Sequence, residues 1–361
     1  NEFNLSGFAR KATVKDYSNM VREAYLVAKK AHSDCQIGIG CADVDLSFLE
    51  QAIVQGAADH FDFINVHPYS LLEAAMKGRE PVFLGIVSNL RKMLAKTGQK
   101  HNPAIWASEI GMQTLNKPEL EEKQAQALVR AFVLCIAQGF DRVLWFEGRG
   151  RSYGPAGEFG IIRNDWTKRP SFDAMRNMTS ILGARPEYLG WLNPTGQCYV
   201  FGFKGVNGPA LVAWSMTEKG DTLRVGSAVT ATDILGKATQ IDAAQDVALT
   251  RTPVFITQLP EKWLAELKAN RELAFPWLKD FSAAESVSCQ MGAADVETGL
   301  SRLEGGDAKT VVELVDGLHV RRTDRKNKAL YMNFDVDDSY ASVGDREIEI
   351  TVVARRLNPK G

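Results

Sequence analysis

From Asp16 to Leu182 the chain alternates segments of helical period with short apolar runs, a pattern that calls for a parallel sheet covered by helices. Tyr17, Met20, Val21, Ala24, Tyr25, Val27, Ala28 and Ala31 recur at helical spacing, which predicts a helix over 16–31. Cys35–Gly40 reads as a buried strand, and Leu46–Ala57 as a helix that Asp45 caps. Phe61–His67 reads as a second strand, stopped by Pro68, and Val82–Lys96 as an amphipathic helix ended by Gly98. Ala104–Ser108 is the third strand, and Leu120–Gln138 a helix with Gly139 at its left-handed end. Arg142–Phe146 is the fourth strand. Ser171–Leu182 is a helix entered through Pro170 and left at Gly183. Four strands in this order make either half of an eight-stranded barrel or a small open sheet.

Beyond Gly183 the period changes. Cys198–Phe203, Ala210–Trp214, Leu223–Val225, Ala231–Leu235 and Pro253–Thr257 are strand-like, with glycines between several of them. This predicts an antiparallel β-domain. Trp263–Leu278 reads as a helical or irregular linker. Thr310–Val315, Ala329–Phe334 and Arg346–Val353 then start a second β-module that the chain leaves incomplete. The expected division is 1–184, 185–262 and 263–361.

A net charge of -1 gives no reason to expect nucleic acid or an anionic membrane as partner. No apolar run reaches membrane-spanning length, and the first residues lack a signal-peptide core. The five cysteines, Cys35, Cys41, Cys135, Cys198 and Cys289, are odd in number and scattered, which describes small buried hydrophobes rather than a disulfide framework or zinc site. Asp335-Val-Asp-Asp338 lacks the spacing of a calcium loop and reads as a polar turn.

The residues with chemistry to offer stand at strand ends. Glu109 follows the third apolar run, and strict alternation puts it on one face with Ala107 and Ile105. His67 shares a face with Asn65 and Phe63, and Tyr69 follows Pro68. Trp145 alternates with Val143 on the fourth strand. A tyrosine hydroxyl near a carboxylate holds its rotamer, and an indole face suits the C–H face of a sugar. Singly, each residue has a bland alternative: a solvated carboxylate, a structural histidine, a core indole.

Taken together, these residues resemble the clan of retaining glycoside hydrolases that pair a (β/α)8 barrel with two glutamates. The resemblance covers residues 1–260. In that clan strand four ends in Asn-Glu, matching Asn1-Glu2; the Glu is the acid/base and the Asn contacts the sugar 2-hydroxyl. Strand seven ends in the nucleophile, matching Glu109 in W-A-S-E-I-G. Strand six often carries His-x-Tyr, matching His67 and Tyr69, and strand eight supplies an aromatic platform, matching Trp145. Glu147 is an extra carboxylate with no counterpart in the pattern; it binds a sugar hydroxyl or is solvated. The match is closest to β-xylosidase and α-iduronidase.

The resemblance implies α/β architecture: the C-terminal half of a (β/α)8 TIM barrel, then an antiparallel β-sandwich domain and an incomplete second β-module. It implies a carbohydrate substrate, hydrolysis of O-glycosidic bonds by double displacement, no metal or other cofactor, and export to the periplasm or beyond. A half barrel leaves sheet edges and an apolar face open, so the expectation is a fragment, inactive in isolation, of a longer parent. The alternatives are a non-catalytic carbohydrate binder and a transglycosylase using the same glutamates. Carboxyls about 5–5.5 Å apart favour retention, about 6.5–9.5 Å favour inversion, and a much larger gap favours the binder.

Overall fold

The four apolar runs pair in parallel, in sequence order, as one four-stranded sheet. The structure, a computed structural model, describes residues 2–115, 117–150, 158–304, 307–337, 339–341 and 347–354. The chain forms two units, Asn1–Phe281 and Ser282–Gly361.

In the first unit the elements run α1 (Ser6–Ala9), α2 (Val14–Ala31), β1 (Gly38–Ala42), α3 (Leu46–Ala52), β2 (Phe63–His67) and α4 (Tyr69–Met76). They continue with α5 (Glu80–Leu84), α6 (Ile86–Lys96), β3 (Ala104–Ile110), α7 (Pro118–Ala137), β4 (Arg142–Trp145) and α8 (Pro170–Leu182). Helix α2 starts two residues before the expected point, because Thr13 and Asp16 form a reciprocal capping box: each side chain accepts the other's backbone N–H. The helix expected over 46–57 ends at Ala52 and passes into a wider turn, Ile53–Ala57, where Gly56 takes φ +135°. The single helix expected over 82–96 is two, joined at Gly85, and α4 was not expected at all. Pro68 does end β2, but it also sits at the start of α4, where its missing N–H costs nothing.

Ile39, Ile64, Ile105 and Ala107 are fully buried, as are Leu49, Leu90 and Leu128 of α3, α6 and α7. Fully burying an Ile or Leu side chain stabilises the fold by about 1.5–3 kcal/mol. Tyr17 and Asn4 cover the edge of β1 left free by β2. The Tyr17 hydroxyl donates to the Gly40 carbonyl (2.9 Å) and accepts from its N–H (2.8 Å). The Asn4 amide accepts from the Ala42 N–H (2.8 Å) and donates to its carbonyl (3.3 Å). Side chains thus satisfy backbone groups that a neighbouring strand would otherwise pair.

The remainder of the unit holds β5 (Glu187–Leu192), β6 (Cys198–Gly205), β7 (Gly208–Ser215), β8 (Asp221–Arg224), β9 (Val229–Asp233), β10 (Ala238–Ile241), β11 (Asp246–Leu249), β12 (Val254–Thr257) and α9 (Glu261–Asn270). A six-stranded antiparallel sheet has the order β10-β9-β12-β7-β6-β5, and β8 pairs with β11. Leu223, Val247 and Leu249 pack with Val200, Leu211, Ile256, Trp263 and Leu267 in one core. Trp263 and Trp277 are both buried. Helix α9 crosses β5 so closely that a Cβ on Gly190, at φ +138°, would come within 1.9 Å of the Leu267 carbonyl oxygen. Gly190→Ala should therefore lower stability by about 1–3 kcal/mol, read as a lower urea midpoint at unchanged slope.

A buried ionic cluster ties α5 and α7 to this sheet. Glu80 Oε1 accepts from Arg251 (2.7 Å), from the Trp214 indole (3.1 Å) and from Arg130 (3.2 Å). Burial, with the Arg251 charge beside it, pushes Arg130 down to about 10. The cysteines are all free; Cys41, Cys135 and Cys198 are buried, Cys35 and Cys289 partly so. No described helix is long and apolar enough to cross a membrane.

The second unit contains β13 (Ser288–Gln290), β14 (Val296–Thr298), β15 (Leu300–Leu303), β16 (Thr310–Val315), β17 (Leu318–Thr323) and β18 (Asn333–Val336), paired 13 with 14, 15 with 18 and 16 with 17. Asp335 lies in β18, and Asp337 forms a polar turn by accepting from the Ser339 N–H; Asp338 is outside the described residues. Of the strand expected over 346–353, Arg346 lies outside the described residues; residues 347–353 carry no ladder among the described residues, and Ile348, Ile350 and Val352 are exposed. Alternating apolar residues make a strand only where a neighbour pairs with them.

Candidate active site

The ends of β1, β2 and β3 bring Glu2, His67 and Glu109 together. Asn4 reaches the end of β1 as described, and the Phe3 ring lies 4.9 Å from that of Tyr17, so the residues after Glu2 are anchored from both sides. His67 is the last residue of β2, and its backbone N–H donates to the Asp43 carbonyl just past β1 (3.1 Å).

The imidazole of His67 is almost wholly buried, at 4% exposure. Its Nδ1 lies 2.9 Å from Glu2 Oε1 and 3.7 Å from Glu109 Oε2. Its Nε2 lies 3.1 Å from Asn65 Nδ2 and 3.1 Å from Ser108 Oγ. The Tyr69 hydroxyl donates to Glu109 Oε2 (3.2 Å). One ligand-type atom from each of Glu2, His67 and Glu109 falls within 4.8 Å of the others. The Glu2 and Glu109 side chains are 16% and 26% exposed, so both open to solvent. Burial raises Asp43 above the usual carboxylate range, and the Glu2 charge adds to it.

Strict alternation misplaces Glu109. The β3–β4 register shifts between Ala107 and Ile110, so two residues stand where one belongs. Ser108 and Glu109 both reach the His67 ring, on the face opposite the buried Ile105, Ala107 and Ile110. This bulge re-aims the carboxylate.

Trp145 pairs with the buried Ile110, and its indole nitrogen is buried without a hydrogen-bond partner among the described residues. Phe146 meets Tyr69, with ring centroids 6.5 Å apart, and Phe159 lies 5.8 Å from Tyr69 and 5.4 Å from Phe146. The Glu147 carboxyl lies over Gly150, where a Cβ would come within 2.4 Å of it. Asn1 lies outside the described residues. The loop carrying Phe159 is held to α7 by the fully buried Arg169, which donates to Glu121 (3.0 Å), to the Gly160 carbonyl (2.7 Å) and to Glu158.

Asn65 and Ser108 have no site role in the sequence reading. Their signal is a polar residue inside an apolar strand, F-I-N-V-H and W-A-S-E, where burial demands a hydrogen-bond partner.

No protein-family model and no curated protein matches this sequence. A family 39 glycoside hydrolase from the gut symbiont Bacteroides cellulosilyticus WH2 is similar over 67% of this chain and 54% of its own, at 20% identity and a TM-score of 0.54. An α-L-arabinofuranosidase from Thermotoga maritima, in complex with arabinose, is similar over 68% and 62%, at 11% identity and 0.49. A conserved exported protein from Bacteroides fragilis is similar over 68% and 60%, at 15% identity and 0.47. The first shows a shared fold, and the other two carry no argument at these scores. The chain spans about half the length of the first.

Proposed function

We propose that these residues belong to a retaining glycoside hydrolase. The observation that carries the reading is the convergence of Glu2 and Glu109, with an oxygen of each within 4.8 Å of the other. That spacing suits direct attack on a sugar carbon and leaves little room for an intervening water. Glu109 attacks the anomeric carbon as the leaving oxygen takes a proton from Glu2. Glu2 then takes a proton from water, which attacks the same carbon and frees Glu109. Tyr69 holds Glu109, His67 holds Glu2, and Asn1 contacts the sugar. Trp145, the last residue of β4, and Glu147, just past it, are read as further sugar contacts.

Within the first unit, we read 1–184 as the C-terminal half of a (β/α)8 barrel and 185–262 as a β-sandwich. We read 263–361 as a linker and β-module. The proposed setting is extracytoplasmic. Because the chain spans about half of its structural neighbour, turnover is assigned to the protein that carries these residues. The test is hydrolysis of a panel of 4-nitrophenyl pentosides and hexosides of both anomers, followed by NMR of the first-formed product. Retained configuration supports the reading, and inversion contradicts it. Tyr69→Phe removes a hydrogen bond to a charged group, worth about 1.5–3 kcal/mol. It should lower kcat by roughly 10–100-fold with the far-ultraviolet circular dichroism unchanged.

A further inference from the structure

The backbone of β3 decides which nitrogen of His67 carries its proton. The Ser108 N–H donates to Asn65 Oδ1 (3.0 Å). A backbone N–H has no alternative role, so Asn65 must present its NH2 group to His67 Nε2, 3.1 Å away. Turning the amide over would set two donors against each other at Ser108. Nε2 therefore accepts, and the proton of the neutral ring sits on Nδ1. Ser108 Oγ, 3.1 Å from the same nitrogen, is free to donate to it as well. The Nδ1–H points at Glu2 Oε1, 2.9 Å away.

We propose that Asn65 is a positioning residue for Glu2, acting through this fixed tautomer. The inference rests on the hydrolase reading above. Glu2 Oε1 is occupied by the His67 N–H, so the acid proton of Glu2 resides on Oε2, the oxygen left to face the leaving group. When that proton moves to the glycosidic oxygen, the N–H is already in place to stabilise the carboxylate left behind. The tautomer also argues against Glu2, His67 and Glu109 holding a cation, since Nδ1 has no lone pair to offer. The other titratable groups around this pair are Glu109 and Tyr69 on one side, and Asp43 and Cys41 at the end of β1.

Long-range 1H–15N correlation of the histidine rings tests the tautomer without reference to activity. The protein has five histidines, and His67→Gln identifies the His67 signals. The expected pattern is a protonated Nδ1 and an unprotonated Nε2; a protonated Nε2 in the neutral ring overturns the proposal. Asn65→Asp replaces the donor with an acceptor, so both ring nitrogens should become protonated. The added charge beside Glu2 should move the alkaline limb of kcat/KM to lower pH by about one unit. For alkyl glycosides, which need the acid, kcat/KM at neutral pH should fall about tenfold. For 2,4-dinitrophenyl glycosides it should change by less than about threefold. Equal losses on both substrates would reduce Asn65 to a structural role and refute the positioning claim. If Asn65→Asp does not fold, the spectrum of the unaltered protein still decides the tautomer. Failure of the hydrolase reading shows separately, as turnover that survives Glu109→Gln.

Discussion

Glu109→Gln should reduce kcat by about 10⁴-fold or more, with the fold intact. The amide has nearly the shape of the carboxylate and keeps an oxygen for the Tyr69 hydroxyl, which donates from 3.2 Å. What it lacks is a charge able to bond to the anomeric carbon. The side chain is only 26% exposed, but Gln fills the volume of Glu, so its packing is kept. Glu109→Ala with added azide distinguishes lost chemistry from lost structure. A small anion entering the vacated space should give a glycosyl azide of the opposite anomeric configuration. Glu2→Gln should behave differently: severe loss on alkyl glycosides and a much smaller loss in glycosylation by 2,4-dinitrophenyl glycosides, whose leaving group departs unaided.

The second large effect lies far from any chemistry. Glu80→Gln should destabilise the protein by about 3–5 kcal/mol. Glu80 is fully buried and faces the guanidinium groups of Arg130 and Arg251 together with the Trp214 indole. Neutralising it leaves two cations buried side by side, and the Arg130 ring contact with Trp214 at 5.6 Å does not replace a counter-charge. Both arginines also donate to the Ala75 carbonyl at the end of α4, so the damage reaches the segment that begins with Tyr69. Urea unfolding should show the lower midpoint. Replacing Glu80, Arg130 and Arg251 together with apolar residues of similar size should recover most of the loss, because an uncompensated charge costs more than an absent one.

The parallel sheet was legible because its strands are short apolar runs set between helical stripes, a pattern with one common solution. Helix ends were legible where one residue decides them, as at Gly183, and missed where two act together, as in the Thr13–Asp16 box. Helix α4 was missed because Pro68 signals the end of a strand as strongly as the start of a helix. At the site, residue types were legible but directions were not. His67 alternates with Asn65 as expected, because β2 is regular. Glu109 does not alternate with Ala107, because one extra residue in β3 turns it to the other face, and no local composition announces that bulge. The same register sets Trp145 beside Ile110 and leaves Phe146 to meet Tyr69. The buried Glu80 cluster was invisible for another reason: Arg130, Trp214 and Arg251 lie 50, 134 and 171 residues from Glu80 and meet it only through tertiary packing.

Trapping the covalent intermediate tests the two-glutamate account most directly. A 2-deoxy-2-fluoro glycosyl fluoride of a sugar that the protein hydrolyses slows the release step, and peptide mass mapping then finds the modified residue. The account predicts one fluoroglycosyl group esterified to Glu109, absent from Glu109→Gln. A label on a different carboxylate such as Glu147, or steady turnover of the probe with no adduct, would contradict it.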